Sequence, residues 1–207
     1  MKWLFALCLW APLLASDAAR IVYTKQFPGS VPAYIRIEVA KDGKAVYKEA
    51  LDDDAPANFQ LAAEDTAAIF ALSDKLERFK RPLESNLKVA NMGMKTFRME
   101  DGAEKNEVKF NYSLDEDAKT LQDIFERITE TQQYLFGLER SVRFDKLGVN
   151  KSLLQLESAY HGKRIVGPER FLPLLERVIK NESYLHMARE RAAALAELFR
   201  PEKAKAE

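Results

Sequence analysis

Cysteine is almost missing from this 207-residue chain, with Cys8 the single one, and an internal disulfide needs two. Cys8 follows Leu7 in the middle of an apolar stretch, so it also lacks the place of a lipid-modified cysteine, which ends such a stretch behind a small residue. Histidine is nearly as scarce. His161 and His186 are the only two, and they fall on different predicted elements, so no histidine cluster for a metal is legible. The motifs His-Glu-x-x-His, Gly-x-Ser-x-Gly, Gly-x-x-x-x-Gly-Lys-Ser/Thr and Gly-x-Gly-x-x-Gly are all missing. Zinc hydrolases, serine hydrolases and nucleotide sites therefore lack their local signatures, and no cofactor is implied. An excess of either charge is missing too, with 32 Lys and Arg against 32 Asp and Glu. A protein that grips phosphate backbones usually carries a basic face, so nucleic acid is not the expected partner. The interspersed charges read as a solvated surface.

What the chain does have begins at its start. Met1-Lys2 is followed by twelve uncharged residues, Trp3 to Leu14, and then by Ala15, Ser16, Asp17 and Ala18. That order is the charged, apolar and small-residue sequence of a secretory signal. A helix needs about 20 apolar residues to cross the hydrocarbon core, so cleavage is expected over anchoring. The cut is placed after Ala18, with Ser16 the alternative. Removing 18 of 207 residues leaves 189 and takes Lys2, Asp17 and Cys8 away. The expected product is a neutral, cysteine-free protein of the periplasm or cell exterior with no stable membrane span. Its stability must come from packing.

Hydrophobic period divides the remainder near Ser113. Apolar residues mostly alternate in 19–113 and recur every three or four positions in 114–200, while 201–207 is a charged tail expected to be disordered. In the first region Ile21 to Phe27 and Tyr34 to Ala40 read as strands around the turn Pro28-Gly29-Ser30-Val31-Pro32. Asp42-Gly43 predicts a tight hairpin to a strand from Ala45 to Ala50. Ala62 to Phe79 reads as a helix stopped by Pro82, with Ile69, Leu72, Leu76 and Phe79 on one face. Leu87 to Asn91, Met94 to Glu100 and Glu104 to Tyr112 read as further strands. In the second region Ser113 and Glu116 form a predicted capping box. The helix it opens carries the seam Leu121, Ile124, Ile128, Thr131, Leu135, Leu138 and Val142 and either continues to about Asp145 or breaks near Gly137. Helices over Asn150 to Tyr160, from Gly167-Pro168 with a kink or a late start at Pro173, and from Ser183 to Arg200 follow. Leu185, Ala188, Ala192, Leu195 and Phe199 are read as the buried face of the last. The fold class is α+β: an antiparallel meander of about five strands with one packed helix, then a bundle of three or four helices. Those helices either cover the sheet or form a second lobe.

Residues that carry chemistry are few. His161 at a helix end complements exposed carbonyls. Asp52, Asp53 and Asp54 do not reproduce the spacing of a calcium loop and read as a solvated turn. Tyr34, Tyr47, Phe110 and Tyr112 are weighed as an aromatic ligand face against cross-strand packing. A partner-contact surface is placed on Tyr184, His186, Arg189 and Arg191 of the last helix. The stretch Phe27-Pro28-Gly29-Ser30-Val31-Pro32-Ala33-Tyr34, followed by Asp42-Gly43 and a strand bearing Tyr47, resembles the opening of small exported bacterial proteins of no assigned function. That resemblance covers about thirty residues and carries no site residues with it. The expected function is non-catalytic binding of a protein or envelope ligand. A cell-envelope hydrolase with dispersed carboxylates and an inhibitor or chaperone-like partner are the alternatives, and oligomeric state is open.

Overall fold

The computed structural model describes residues 19–200; the expected signal peptide, Cys8 and the charged tail lie outside them. Six strands form one sheet: β1 (Arg20–Gln26), β2 (Tyr34–Ala40), β3 (Lys44–Lys48), β4 (Ala57–Gln60), β5 (Met94–Asp101) and β6 (Glu104–Phe110). Their order is β4-β3-β2-β1-β5-β6, and every neighbouring pair is antiparallel. The α+β class is as expected, with two changes in the strands. β4 is an extra strand of four residues, too short to show a period. Leu87 to Asn91, read as a strand, is unpaired. Its alternation reflects an extended, exposed segment fastened by side chains, with Asn111 Nδ2 donating to the Ala90 carbonyl at 2.9 Å.

Alternation makes one sheet face apolar. Tyr23 stands between Ile37 and Phe97, and Ile21 between Val39 and Met99. This face is covered by helix α1 (Ala63–Lys75) and the first half of helix α2 (Glu116–Phe144), through Ile69, Leu72, Leu121, Ile124, Phe125 and Ile128. Each such buried aliphatic or phenyl side chain contributes about 1.5–3 kcal/mol. Gly43 makes the β2–β3 turn at φ +83°, and a Cβ there would meet Gln60 Nε2 at 2.4 Å.

α1 ends at Lys75, earlier than Pro82 alone dictates. Glu77, Arg78 and Phe79 take left-handed φ values of 54°, 53° and 64°, a conformation that costs L-residues roughly 1–2 kcal/mol each. Burial of Phe79 and the 2.8 Å ion pair of Arg78 with Glu104 offset that cost.

α2 has 29 residues and spans about 43 Å at 1.5 Å per residue. It does not break at Gly137. Its cap is Asp115 rather than Ser113: the Asp115 carboxylate accepts the Ala118 N–H at 3.0 Å, and Ser113 Oγ accepts the Asp115 N–H at 3.2 Å. The polar seam member, Thr131, is buried because its hydroxyl accepts the Val166 N–H at 3.0 Å and donates to the Arg127 carbonyl at 2.8 Å. The second half of α2 joins α3 (Val149–His161), α4 (Leu172–Lys180) and α5 (His186–Phe199) around a separate core that includes Leu138, Val142, Leu153, Phe171, Leu175 and Phe199. The helical region thus both covers the sheet and builds a second lobe, with α2 common to the two.

Candidate functional site

The row of β1 and β5 residues nearest the β1–β2 turn departs from the apolar pattern. Lys25 and Lys95 face each other across the strands, with Ile35 on the far side of Lys25. Two cations on a core-directed row repel unless each finds oxygen. Lys95, fully buried, turns to the sheet end, where its Nζ donates to the carbonyls of Asn111 at 2.7 Å and Gly93 at 3.1 Å and lies 5.8 Å from the Phe110 ring centre. Burial, then the charge of Lys25, holds its pKa below the usual lysine value. Lys25 reaches across to α2, with Nζ 3.4 Å from Glu126 Oε1.

Beside Lys25 a cleft of about 290 Å³ opens between the β1–β2 turn and α2. Tyr23, Phe27 and Ile35 supply strand-side walls, Ser30 to Ala33 the rim, and Glu126, Thr129, Glu130 and Gln133 the helical wall. The rim is held in shape by the Phe27 N–H donating to the Ala33 carbonyl at 2.9 Å and by Ser30 Oγ, 2.7 Å from the carbonyls of both Phe27 and Pro32. Its Val31–Pro32 peptide is cis.

The charges here are matched. Glu126 takes Lys25 and also accepts from Gln122 Nε2 at 2.9 Å. Glu130 receives two hydrogen bonds from Arg164, at 2.8 and 2.9 Å, and the same guanidinium donates to Asp123 at 2.6 Å. The unmatched group is Tyr23. Its ring stacks on Phe125 with centroids 4.8 Å apart and planes 7° from parallel, and its buried hydroxyl has no hydrogen-bond partner among the described residues. Burial first, and the Glu126 carboxylate second, push its pKa well above the ordinary tyrosine value, so it is a neutral O–H donor. The cleft surface therefore presents the exposed Gln133 carboxamide beside closed ion pairs, with the unpaired Tyr23 hydroxyl buried just behind its strand-side wall.

The residues singled out from sequence fall elsewhere. Tyr184 is core, its hydroxyl donating to the Val142 carbonyl at 2.9 Å. Arg191 is bound to Glu157 and Asn150 of α3. His186 is exposed beside Glu190, 3.3 Å away, and Arg189 is half-buried. These four do not form one open surface, because the last helix starts only at His186 and the turn before it points Tyr184 inward where Leu185 was expected; Leu185 is 43% exposed. Tyr47 and Phe110 are in the sheet core, whereas Tyr34 lies on the opposite sheet face, so the aromatic quartet shares no face. Asp53 accepts backbone N–H bonds from Ala55 at 3.0 Å and Glu49 at 3.3 Å, as a turn residue does. His161 ends α3, its ring edge-on to Tyr160.

Among the described residues no helix is long and apolar enough to cross a membrane, and no three His, Cys, Asp or Glu side chains gather to hold a metal. No protein-family model matches the chain, and comparison with curated proteins gives no match.

Proposed function

We propose that this is an exported, non-catalytic binding protein that seats an uncharged, hydrogen-bonding ligand in the cleft between the β1–β2 turn and α2. Tyr23 carries the reading. A buried hydroxyl without a partner costs about 1–3 kcal/mol, and a ligand oxygen that accepts its proton relieves that cost. The ring is held by its stack on Phe125, and because its hydroxyl is closed off from solvent, a ligand reaches it as the side chains of the cleft wall part. The closed ion pairs favour a neutral ligand, since a charged one would compete with Lys25 or Arg164 for partners already in place. Export rests on the apolar leader, supported by the resemblance of Phe27 to Tyr34 to exported proteins.

The test is heteronuclear NMR of the mature chain against pools of small neutral amides, polyols and sugars, with mass spectrometry of each pool afterwards. Shifts centred on Tyr23, Thr129 and Gln133 with unchanged pools are expected. Turnover of any pool, or shifts confined to other surfaces, would overturn the reading. Cell fractionation tests the compartment, and intact precursor accumulating in the cytosol would refute export.

A further inference from the structure

Gly137 has no architectural reason to be glycine. It lies inside α2, where glycine costs about 1 kcal/mol relative to alanine. A Cβ added there would meet nothing within 4 Å, so no close approach within the protein calls for its absence. What lies over it is a second cavity of about 270 Å³ between α2 and α3, walled by Tyr134, Leu138 and Gln155. This cavity and the Tyr23 cleft have Glu130 and Gln133 in common. The two adjoin along one face of α2, and together they form the trough of the proposal that follows. From Glu126 to Leu138 the helix rises about 18 Å at 1.5 Å per residue, which is the length of about five or six residues of extended chain at 3.3 Å each.

We propose that the trough binds an extended, uncharged peptide segment of about that length, its main chain lying against Gly137. The Tyr23 end of this proposal rests on the functional reading above; the Gly137 end does not. Glycine is the residue that lets another backbone approach a helix surface closely. Gln133, which lines both regions of the trough, and Gln155, which lines the second, present carboxamides with donors and an acceptor apiece. That pairing matches the peptide group. The trough's carboxylates Glu126 and Glu130 are neutralised by Lys25 and Arg164, so the segment needs no charge of its own.

Capped peptide pools of two to six residues, titrated into the mature chain by NMR and calorimetry, test this, with N-acetylglucosamine oligosaccharides as the competing linear polymer. Affinity should climb with peptide length, and shifts should extend from Tyr23 to Gln155. Gly137→Leu should weaken hexapeptide binding about tenfold or more, close to 1.4 kcal/mol, by filling the trough. Gly137→Ala adds helix propensity and separates folding from binding: it should fold at least as stably as the parent and weaken hexapeptide binding less than Gly137→Leu does. If tripeptides bind as well as hexapeptides and Gly137→Leu changes nothing while Tyr23→Phe weakens binding, the cleft stands and the peptide proposal falls. Oligosaccharide binding in place of peptides, or no shift at Gln155 from any hexapeptide pool, would overturn it as well.

Discussion

Replacing Tyr23 by phenylalanine removes one oxygen and nothing else, and the structure fixes the sign of the result. The ring's contacts with Phe125 and Phe97, at centroid distances of 4.8 and 5.7 Å, are retained. The hydroxyl has no partner among the described residues, so its removal gives back the desolvation cost of an unpaired buried group, about 1–3 kcal/mol. For a domain of this size 1 kcal/mol moves Tm by about 2–4 °C, so Tyr23→Phe should raise it by several degrees. The same substitution at Tyr184, which donates to the Val142 carbonyl at 2.9 Å, or at Tyr47, which donates to Glu49 at 2.8 Å, removes a made bond. Those two variants should lose about 0.5–2 kcal/mol. Urea unfolding followed by circular dichroism compares all three against the parent. A Tyr23→Phe variant destabilised like its two counterparts would mean that the hydroxyl is already satisfied, and the vacant donor on which the cleft reading stands would not exist.

Thr131→Val keeps side-chain shape but leaves the buried Val166 N–H without its acceptor; a loss of about 1–3 kcal/mol is expected in urea titrations. Arg164→Ala releases Glu130 and Asp123 together, and because these groups are about a third to a half exposed the expected loss is only about 1 kcal/mol, shrinking in high salt. Gly43→Ala forces a left-handed alanine whose Cβ meets Gln60 and Leu61, and should lower stability by about 2 kcal/mol or more, read as a fall in Tm. The Asp115 carboxyl is held below its ordinary 3.8, first by the hydrogen bond from Arg81 and then by the Ala118 N–H. A depressed carboxyl pKa stabilises the fold above that ordinary value and loses the contribution as pH falls through the folded-state value. Asp115→Asn should therefore be less stable near neutrality and show a flatter decline between about pH 5 and pH 2 than the parent in urea midpoints.

Sequence periodicity carried most of the architecture. β2 follows from strict alternation of Ile35, Ile37 and Val39, and the α2 seam from its three-and-four spacing, Thr131 included, because those patterns are set by burial against a single core face. β4 escaped because four edge residues with Ala57 and Phe59 inward offer too few periods to count. Leu87 to Asn91 misled because alternation also arises in an extended segment held by side-chain bonds. The binding site was less legible. Lys25 and Glu126 are 101 positions apart, and no local pattern links a strand lysine to a helix carboxylate. Tyr23 read as one more inward strand residue, since a missing hydrogen bond leaves no mark on a sequence. Gly137 alone was visible as an irregularity in a helical pattern, and only the cavity above it gives that irregularity a meaning.

Because α2 supplies side chains to both hydrophobic cores, neither region is an independent building block. A fragment ending near Ser113 would keep α1 but lose the α2 cover of Tyr23 and Phe97, against which Phe125 packs, while a fragment starting there would carry Leu121, Phe125 and Ile128 with nothing to rest on. Reporter insertions and affinity tags accordingly belong at exposed loop tips such as Gly102–Ala103 rather than at the change of periodicity, and the two regions should lose their amide-exchange protection together rather than in sequence.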